Sequence, residues 1–425
     1  MVVIEAIGYV LLSFVVIALG AILVRQFASI RFEANREAAE LEILRTRLEA
    51  ARIARERASV SAAPWNGWRK FRVDKKVKES ADTCSFYLVP HDRRPLPRFK
   101  PGQYLTFEFD GIPGENKPAI RCYSLSDCYD PSCYRISVKR VGPPRDKLGA
   151  PPGVGSCYLH DHVDEGSLLN VKAPNGHFAI DEDEGTPLVL IGGGIGVTPV
   201  LSMFNATIAS GSAREVWFFY GVRNLNENIL RDTLEKLSGQ SAEHPNIHFF
   251  VCYSQDLGED AANLKPYELN GARVGVDLLK ERLPSNNYQF FTCGPPPMMA
   301  AIKEGLRAWG VPAGSINEEV FPGPKGAGAS IGFGSAIGSV KFRKAGREVK
   351  VASDCSSLLD LAEFNGVEIP FACKVGSCGT CVTAVLSGEV VYLQAPSWKG
   401  EAELKEEGLC LPCICLPKAK LVIDR

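Results

Sequence analysis

The sequence predicts a multidomain protein of mixed α+β and α/β class, and three patterns support this prediction. Short alternating strands separated by Pro and Gly begin at Trp65 and predict a small antiparallel β-barrel. From Pro187, apolar runs alternate with helical stretches, which predicts a parallel α/β sheet. From Val340, two strands and a helix predict a third domain of β-grasp type. An apolar segment that precedes all three predicts an N-terminal transmembrane helix.

The composition limits the classes of protein that fit. The chain has 425 residues, room for about three domains of the usual size. Its formal net charge is -1, so binding to nucleic acid has no electrostatic support. Its 14 cysteines do not resemble the disulfide framework of a short secreted domain and favour a reducing compartment.

The first residues predict a membrane anchor. Val2 to Val24 is almost wholly apolar, and Glu5 is its only charge. A helix of this length rises about 34 Å, enough to cross the hydrocarbon core of a bilayer. A signal peptide, the alternative, would have a basic start and a shorter apolar core. The arginines that follow predict a single pass through a bacterial-type inner (cytoplasmic) membrane, with the remaining domains in the cytoplasm.

The division of the chain follows from these patterns and from the Gly- and Pro-rich stretches between them. We predict an anchor (1–24), a charged helical stalk and linker (25–63), a barrel (64–180), a parallel α/β domain (181–321), a Gly-rich linker (322–339) and a β-grasp domain (340–425).

Four cysteines near the C-terminus have the spacing of an iron–sulfur site. Cys373, Cys378 and Cys381 follow the pattern C-x4-C-x2-C, and Cys413 comes later. This is the plant-type ligand pattern of a 2Fe-2S cluster. Zinc ligands, the alternative, usually come as two C-x2-C pairs. Cys415 is the alternative fourth ligand, because it would share a face with Cys413 in an alternating strand.

A second motif lies in the predicted barrel. Arg121-Cys-Tyr-Ser-Leu-Ser126 resembles the R-x-Y-S-x-[ST] flavin signature of the ferredoxin-NADP reductase superfamily. Gly153-Val-Gly-Ser156 resembles the phosphate loop of the same family, and 173–178 resembles its A-P-x-G-x-F turn. The order of these matches also fits that family, whose domain with this loop pattern binds FAD. FMN, used by some related reductases, is the alternative.

The resemblance implies a role for each residue of these motifs. Arg121 would pair with flavin phosphate, Tyr123 would stack on the isoalloxazine, and the Ser124 hydroxyl would reach the flavin edge. The remaining implied flavin contacts are Leu125, Ser126, Gly155 and Ser156.

A third motif belongs to the predicted parallel sheet. Gly192-Gly-Gly-Ile-Gly-Val-Thr-Pro199 follows an apolar strand, and its glycines would let backbone approach a pyrophosphate at a helix start. Cys293-Gly-Pro295 ends the last predicted strand. In the family this corner lies beside the nicotinamide, so Cys293 and Ser124 are the candidate catalytic residues for hydride transfer. The implied nicotinamide contacts are Gly193, Gly194, Gly196, Thr198, Pro199, Cys293, Gly294 and Pro295, and Phe321 would close the module near the flavin.

The nucleotide is expected to be NADH. NADPH-using relatives have a Ser-Arg pair after the third strand of this domain, where this chain has Ser254 and Gln255 followed by Asp256. Asp256 would repel a 2′-phosphate, although Arg223 after the second strand offers a compensating charge. NADPH is therefore the alternative.

These motifs together resemble flavin-dependent NADH reductases with a C-terminal plant-type ferredoxin domain. The resemblance implies electron transfer from NADH through FAD to a 2Fe-2S cluster, and then to a partner enzyme. The predicted anchor indicates a terminal enzyme at the membrane, such as an oxygenase, hydroxylase, desaturase or cyclase. The alternatives are an NADH:quinone reductase and a non-catalytic redox sensor.

Overall fold

The computed structural model describes residues 64–112, 118–143, 152–239, 244–321, 338–351, 355, 357–371, 374, 376, 379–393, 396 and 398–425. The predicted anchor and stalk lie outside the described residues, as does most of the Gly-rich linker. In the described part of the chain, no helix has the length and apolar character to span a bilayer.

Six antiparallel strands form the first domain. They are β1 (Arg69–Lys78), β2 (Thr83–Pro90), β3 (Tyr104–Phe109), β4 (Ala119–Ser124), β5 (Tyr134–Lys139) and β6 (Leu168–Asn175), with helix α1 (Val154–His162) between β5 and β6. The sheet order is β4-β3-β6-β1-β2-β5, and a bridge from Leu125 to Ile136 joins its two ends. Alternate residues such as Phe71, Val73 and Phe86 fill one core. That packing explains the period of two in the sequence.

Six parallel strands form the second domain. They are β7 (Leu188–Gly193), β8 (Val216–Val222), β9 (Ile247–Tyr253), β10 (Glu268–Asn270), β11 (Gln289–Cys293) and β12 (Ile316–Glu319), with helices α2 (Val197–Ala209), α3 (Arg231–Gly239), α4 (Val276–Arg282) and α5 (Pro296–Ala308). The order is β10-β9-β8-β7-β11-β12. Leu188 and Leu190 pack into one core, and Val189 and Ile191 into another. Burial on both faces accounts for the continuous apolar run. The helix predicted near Val200 begins at Val197.

The third domain has the β-grasp arrangement. Its elements are β13 (Ser339–Phe342), β14 (Arg347–Lys350), α6 (Leu358–Phe364), β15 (Thr383–Ser387), β16 (Val390–Tyr392), α7 (Glu401–Glu406), β17 (Leu409–Cys410), β18 (Cys415–Pro417) and β19 (Leu421–Ile423). The main sheet runs β14-β13-β19-β15-β17, with β13 parallel to β19, and β16 pairs with β18. The Ser357 hydroxyl accepts a hydrogen bond from the Asp360 N–H at 3.1 Å and so caps α6. The predicted domain boundaries stay predictions.

The barrel and the parallel sheet are joined at the loop that follows β4. The Asp127 carboxylate accepts a hydrogen bond from Asn205 Nδ2 at 2.8 Å, and its carbonyl accepts one from Ser202 Oγ at 2.7 Å. Both partners lie on α2. Arg135 on β5 pairs with the same carboxylate at 3.1 Å. The flavin signature is therefore held against the helix that follows the glycine loop.

Candidate active site and cluster site

The glycine loop after β7 packs directly on the end of β11. Gly192 is paired in register with Cys293. A Cβ at Gly196 would lie 2.5 Å from the Cys293 carbonyl oxygen, and a Cβ at Gly193 would lie 2.8 Å from Pro295 Cδ. Since any side chain would collide there, the glycines allow this approach. The two predicted nicotinamide motifs thus form one corner, which we call the nicotinamide corner (193–199 and 293–295).

The start of α2 completes this corner. Gly194 has a φ of +53°, a conformation that glycine adopts without strain. The Thr198 hydroxyl donates to the Ile195 carbonyl at 3.1 Å, and both Thr198 and Pro199 are buried. The first N–H groups of an α-helix have no intrahelical acceptor, so this end suits a diphosphate.

The flavin signature on β4 faces the start of α1. A Cβ at Gly155 would lie 2.7 Å from Arg121 Cγ and 2.9 Å from Tyr123 Oη. Burial raises the pKa of Tyr123, so this hydroxyl stays protonated. Arg121, Tyr123 and Gly155 are therefore brought together as a phosphate and ring site would require.

Three other predicted flavin residues have different surroundings. The Ser156 hydroxyl accepts from the Val141 N–H at 3.1 Å and donates to the Gly153 carbonyl at 3.0 Å. Leu125 is buried in the barrel core, and the Ser126 hydroxyl lies 2.9 Å from Ser137 Oγ. These side chains support the barrel and its loop. Backbone groups are thus the better candidates for flavin contacts at Ser156, Leu125 and Ser126.

The structure adds Glu319, which the sequence reasoning missed. Ser124 Oγ donates to Glu319 Oε2 at 3.4 Å across the boundary between the barrel and the parallel sheet. Glu319 is paired in register with Cys293. Burial raises the pKa of Glu319 to about 8. Burial, and then the charge of Glu319, raise the pKa of Cys293, so the thiol stays protonated. Both candidate catalytic residues, Ser124 and Cys293, therefore meet at a carboxyl group.

Phe321 follows two residues after Glu319 and is partly buried against the core of the parallel sheet. Its predicted contact with the flavin stays a prediction. The sequence could have indicated Glu319 because it lies in Glu318-Glu-Val-Phe321, the segment that contains the predicted flavin contact Phe321. Its role, however, depends on the pairing of β12 with β11.

Two of the four predicted cluster ligands are described. Cys381 Sγ lies 3.2 Å from Cys413 Sγ, and both side chains are buried. Cys373 and Cys378 lie outside the described residues. Within the described residues, no three His, Cys, Asp or Glu side chains are grouped so that they could hold a metal ion. The thiol pair nevertheless fits a thiolate-ligated cluster in its donor chemistry.

Glycines shape the loop around this pair. Gly376 and Gly379 have φ values of +73° and +68°. A Cβ on either would lie 2.3 Å from a neighbour, Ile414 Cδ1 for Gly376 and Trp398 Cε2 for Gly379. Gly376 and Gly379 can therefore lie against Ile414 and Trp398 only because they lack side chains.

Cys415 lies near Cys413 and Cys381, but its hydrogen-bond partner is Cys410. Pro412–Ile414 forms a 3-10 turn, so the strand alternation that would put both cysteines on one face is absent, and that expectation was wrong. Burial and a hydrogen bond with Cys410 raise the pKa of Cys415. Cys413 as the fourth ligand stays a prediction, and the contact with Cys381 favours it.

The residues considered for nucleotide choice have internal partners. Gln255 Oε1 accepts from Asn224 Nδ2 at 3.1 Å, and the Asp256 carboxylate accepts from Asn270 Nδ2 at 3.0 Å. The Arg223 guanidinium is paired with Glu227. The arginine after β8 on which NADPH binding could rely is therefore already neutralised.

Three family models match successive parts of the chain. They describe an oxidoreductase FAD-binding domain (70–180), an oxidoreductase NAD-binding domain (190–304) and a 2Fe-2S iron-sulfur cluster binding domain (341–418). A flavohemoprotein from Halalkalibacterium halodurans is 38% identical over 298 residues, which is 70% of each chain. The chain spans less of the next curated relatives, 64% of their length.

Two solved structures extend the comparison. The flavohem-like FAD/NAD-binding domain of nitric oxide dioxygenase from Vibrio cholerae is 32% identical, with a TM-score of 0.52, over 60% of this chain and 99% of that one. Phthalate dioxygenase reductase is 24% identical with a TM-score of 0.55, over 85% of this chain and 98% of that one, and this likeness shows the fold.

The fold and the nicotinamide corner define an NAD(P)H-dependent flavin oxidoreductase. The chain belongs to the ferredoxin-NADP reductase superfamily and carries a C-terminal 2Fe-2S domain. The glycine cradles and the buried thiol pair fit the groups that these domains bind. The prediction of FAD, NADH and a 2Fe-2S cluster is confirmed.

Proposed function

We propose that this protein is a membrane-anchored NADH reductase that passes electrons through FAD and its 2Fe-2S cluster to a partner terminal enzyme. The observation that carries the proposal is the meeting of Ser124, Cys293 and Glu319, where the flavin signature and the nicotinamide corner share one boundary. Phthalate dioxygenase reductase, which shares the fold, is described as a modular structure for electron transfer from pyridine nucleotides to [2Fe-2S]. We extend that route to this chain.

The chain's own groups would prepare this boundary for transfer. When bound, a flavin accepts two electrons together and releases them one at a time. Below about pH 8 the Glu319 carboxyl holds a proton and accepts a hydrogen bond from the Ser124 hydroxyl, which places a neutral acid between the flavin signature and the corner. The neutral, buried Cys293 thiol adds a small polarisable surface without a charge. The side chains of Ser124, Cys293 and Glu319 are all buried, so solvent has little access to them.

The partner would be an oxygenase, hydroxylase, desaturase or cyclase at the membrane. The apolar segment 2–24 supports this location, because an anchor confines the search for a partner to the membrane plane. No described residue identifies the partner, so the proposal specifies its class by the need for single electrons delivered at a membrane.

The test is anaerobic addition of NADH to the purified full-length protein, followed by optical and EPR spectra. Reduction of both flavin and cluster, with steady turnover on ferricyanide or cytochrome c, is expected. A single reduction without turnover would instead identify a redox sensor. Direct turnover on a ubiquinone analogue would favour the quinone reductase.

A separate experiment tests the anchor. A protein that lacks residues 1–63 should no longer be found in the membrane fraction and should retain NADH turnover on ferricyanide. Its support of the partner should fall at cellular concentrations, because the membrane no longer concentrates it. Equal support of the partner by the truncated and full-length proteins contradicts the role of the anchor.

A further inference from the structure

Arg223 lies where a dinucleotide-binding sheet receives the adenosine ribose. In the register between β7 and β8, Gly193 of the glycine loop is paired with Gly221, and Arg223 follows two residues later. Ligands of parallel sheets bind outside the carboxyl ends of the strands. An arginine near this end can accommodate the 2′-phosphate that distinguishes NADPH from NADH.

This arginine is held by a carboxylate. Both its guanidinium and its backbone N–H donate to Glu227, the N–H at 3.3 Å. Lys139 of the barrel lies 3.9 Å from the same carboxylate and 3.1 Å from Asp82. The four side chains form a network with two positive and two negative charges, which we call the β8 charge network (Asp82, Lys139, Arg223 and Glu227).

Glu227 is the centre of the β8 charge network, since it contacts both cations. Burial acts to raise its pKa, but the hydrogen bond from Arg223 and the charge of Lys139 together hold the pKa of Glu227 below its ordinary value. It is therefore ionised at neutral pH. Its side chain is 14% exposed, whereas that of Arg223 is 42% exposed. The Arg223 guanidinium is thus accessible to a ligand, but the more deeply buried Glu227 carboxylate neutralises its charge.

The neighbouring strand end provides no replacement cation. The segment after β9, from Ser254 to Gly258, contains no lysine or arginine. It contains Asp256, whose carboxylate is exposed and held by Asn270. A 2′-phosphate at this edge would meet one neutralised arginine and two carboxylates.

We propose that Glu227 selects NADH over NADPH by neutralising Arg223 and Lys139 and by repelling a phosphate at the end of β8. The inference rests on the proposed NADH reductase function and adds the residue that sets its nucleotide preference. A network that served only to join the two domains would have no effect on the choice between the nucleotides.

The test compares Glu227→Gln with the natural protein in two measurements. The first is kcat/KM for ferricyanide reduction with NADPH and with NADH, and the second is the calorimetric Kd of 2′,5′-ADP and of 5′-AMP. The ratio of NADPH to NADH efficiency should rise about tenfold or more, as one released charge-assisted hydrogen bond would give. Binding of 2′,5′-ADP should tighten by a similar factor and weaken again in salt.

Two further variants show which groups are responsible. Adding Arg223→Ala to Glu227→Gln should cancel the gain, and a gain that survives contradicts the role of Arg223. Glu235→Gln is the matched control, because Glu235 pairs with Lys265 at 2.7 Å elsewhere in the same domain. It should leave the nucleotide ratio unchanged, and an equal rise there would mean that any lost carboxylate suffices.

The outcomes separate this inference from the proposed function. If the natural protein oxidises neither nucleotide, the reductase proposal fails. If it uses both equally well, or if Glu227→Gln leaves the ratio unchanged, only the role of Glu227 is overturned. Should Glu227→Gln fail to fold, the natural protein still decides, because 2′,5′-ADP binding more than about tenfold tighter than 5′-AMP binding overturns the inference.

Discussion

The nicotinamide corner and the cluster loop are built in opposite ways. The corner is made of strand ends in register, with Gly192 against Cys293 and Cys293 against Glu319. The cluster loop, which carries Gly376, Gly379 and Cys381, depends on the Cys381–Cys413 thiol pair and on glycines whose positive φ values strain any other residue. The corner takes its shape from the sheet itself, whereas Gly376 and Gly379 lie against Ile414 and Trp398, which come from other segments of the chain.

The difference has a physical reason. A site that exchanges electrons with a diffusing nucleotide needs an accessible crevice above a rigid backbone. The carboxyl ends of parallel strands provide both. A cluster that stays bound needs four sulfurs at fixed distances, and its ligands can come from one loop and one strand. We therefore expect substitutions in the corner to affect catalysis by degrees, and substitutions at ligands to remove the cluster altogether.

The largest expected effect is at Cys413. Cys413→Ser should abolish the EPR signal of the cluster, because one of the four predicted thiolates is lost. NADH-driven ferricyanide reduction should persist, since the corner lies in another domain. Cys415→Ser is the matched control, because both cysteines are buried in the same segment. A retained cluster in Cys413→Ser together with a lost one in Cys415→Ser would reverse the ligand assignment.

A second test concerns Gly196 in the corner. Gly196→Ala places a Cβ 2.5 Å from the Cys293 carbonyl oxygen, so the loop must shift. We expect kcat/KM for NADH to fall about 100-fold, as a displacement of about 1 Å can cause. The EPR signal after chemical reduction should not change.

Gly275→Ala is the control for this test. A Cβ there has no neighbour within 4 Å, and its φ of -157° is ordinary extended backbone. Equal losses of kcat/KM in both variants would show that the replacement of a glycine by itself, and not the contact with Cys293, lowers the rate.

A smaller effect is expected at Gly379 in the cluster loop. Gly379→Ala combines a φ of +68° with a Cβ 2.3 Å from the Trp398 ring. The cluster should still form but should be lost several times faster to a chelator, measured by the decay of its visible absorption. Gly346→Ala has a similar φ of +62° and no neighbour within 4 Å, so it measures backbone strain alone. Similar decay in both would rule out the contact with Trp398 as the cause.

The smallest effect is a pH dependence at Glu319. Burial raises the pKa of Glu319 to about 8, whereas an exposed glutamate titrates near about 4.3. Between these values the unfolded chain has lost the proton that the folded protein keeps. The free energy of unfolding should therefore fall as the pH rises through this window and level off above it.

Glu319→Gln removes this titration. When the pH is raised from about 5.5 to 7.5, the thermal midpoint of Glu319→Gln should fall less than that of the natural protein. The difference between the two falls should be about 2 to 4 °C for each kcal/mol of stability that the Glu319 titration contributes. Glu318→Gln, whose carboxylate pairs with Lys303, is the neighbouring control. Parallel pH curves for the natural protein and Glu319→Gln would contradict a buried neutral carboxyl.

Much of this architecture could be predicted from the sequence because its signals are local. The apolar run of β7 and the alternation of β2 each indicate a burial pattern within a few residues. The glycines after β7 likewise indicate a close backbone approach within a short segment. β10 and β12 have three and four residues, too few to show a period, and they were not predicted as strands. Glu319 was missed for the same reason, since its role depends on a register between distant segments.

The error at Cys415 has a different cause. Alternation places residues correctly only within a continuous strand, and Pro412 begins a turn that interrupts it. The spacing of Cys373, Cys378 and Cys381 could be recognised from the sequence because three thiolates from one loop must bind the same cluster. The predicted anchor at 1–24 lies outside the described residues and stays a prediction.

The ties between the barrel and the parallel sheet also bear on how such reductases can be recombined. Asp127 with Asn205, Ser124 with Glu319, and Lys139 with Glu227 each pair a residue of one domain with a residue of the other. A chimera that took its barrel from a different parent would leave buried or half-buried polar groups facing mismatched neighbours at three places. These two domains therefore form a matched pair, and protein engineers should graft them as one piece.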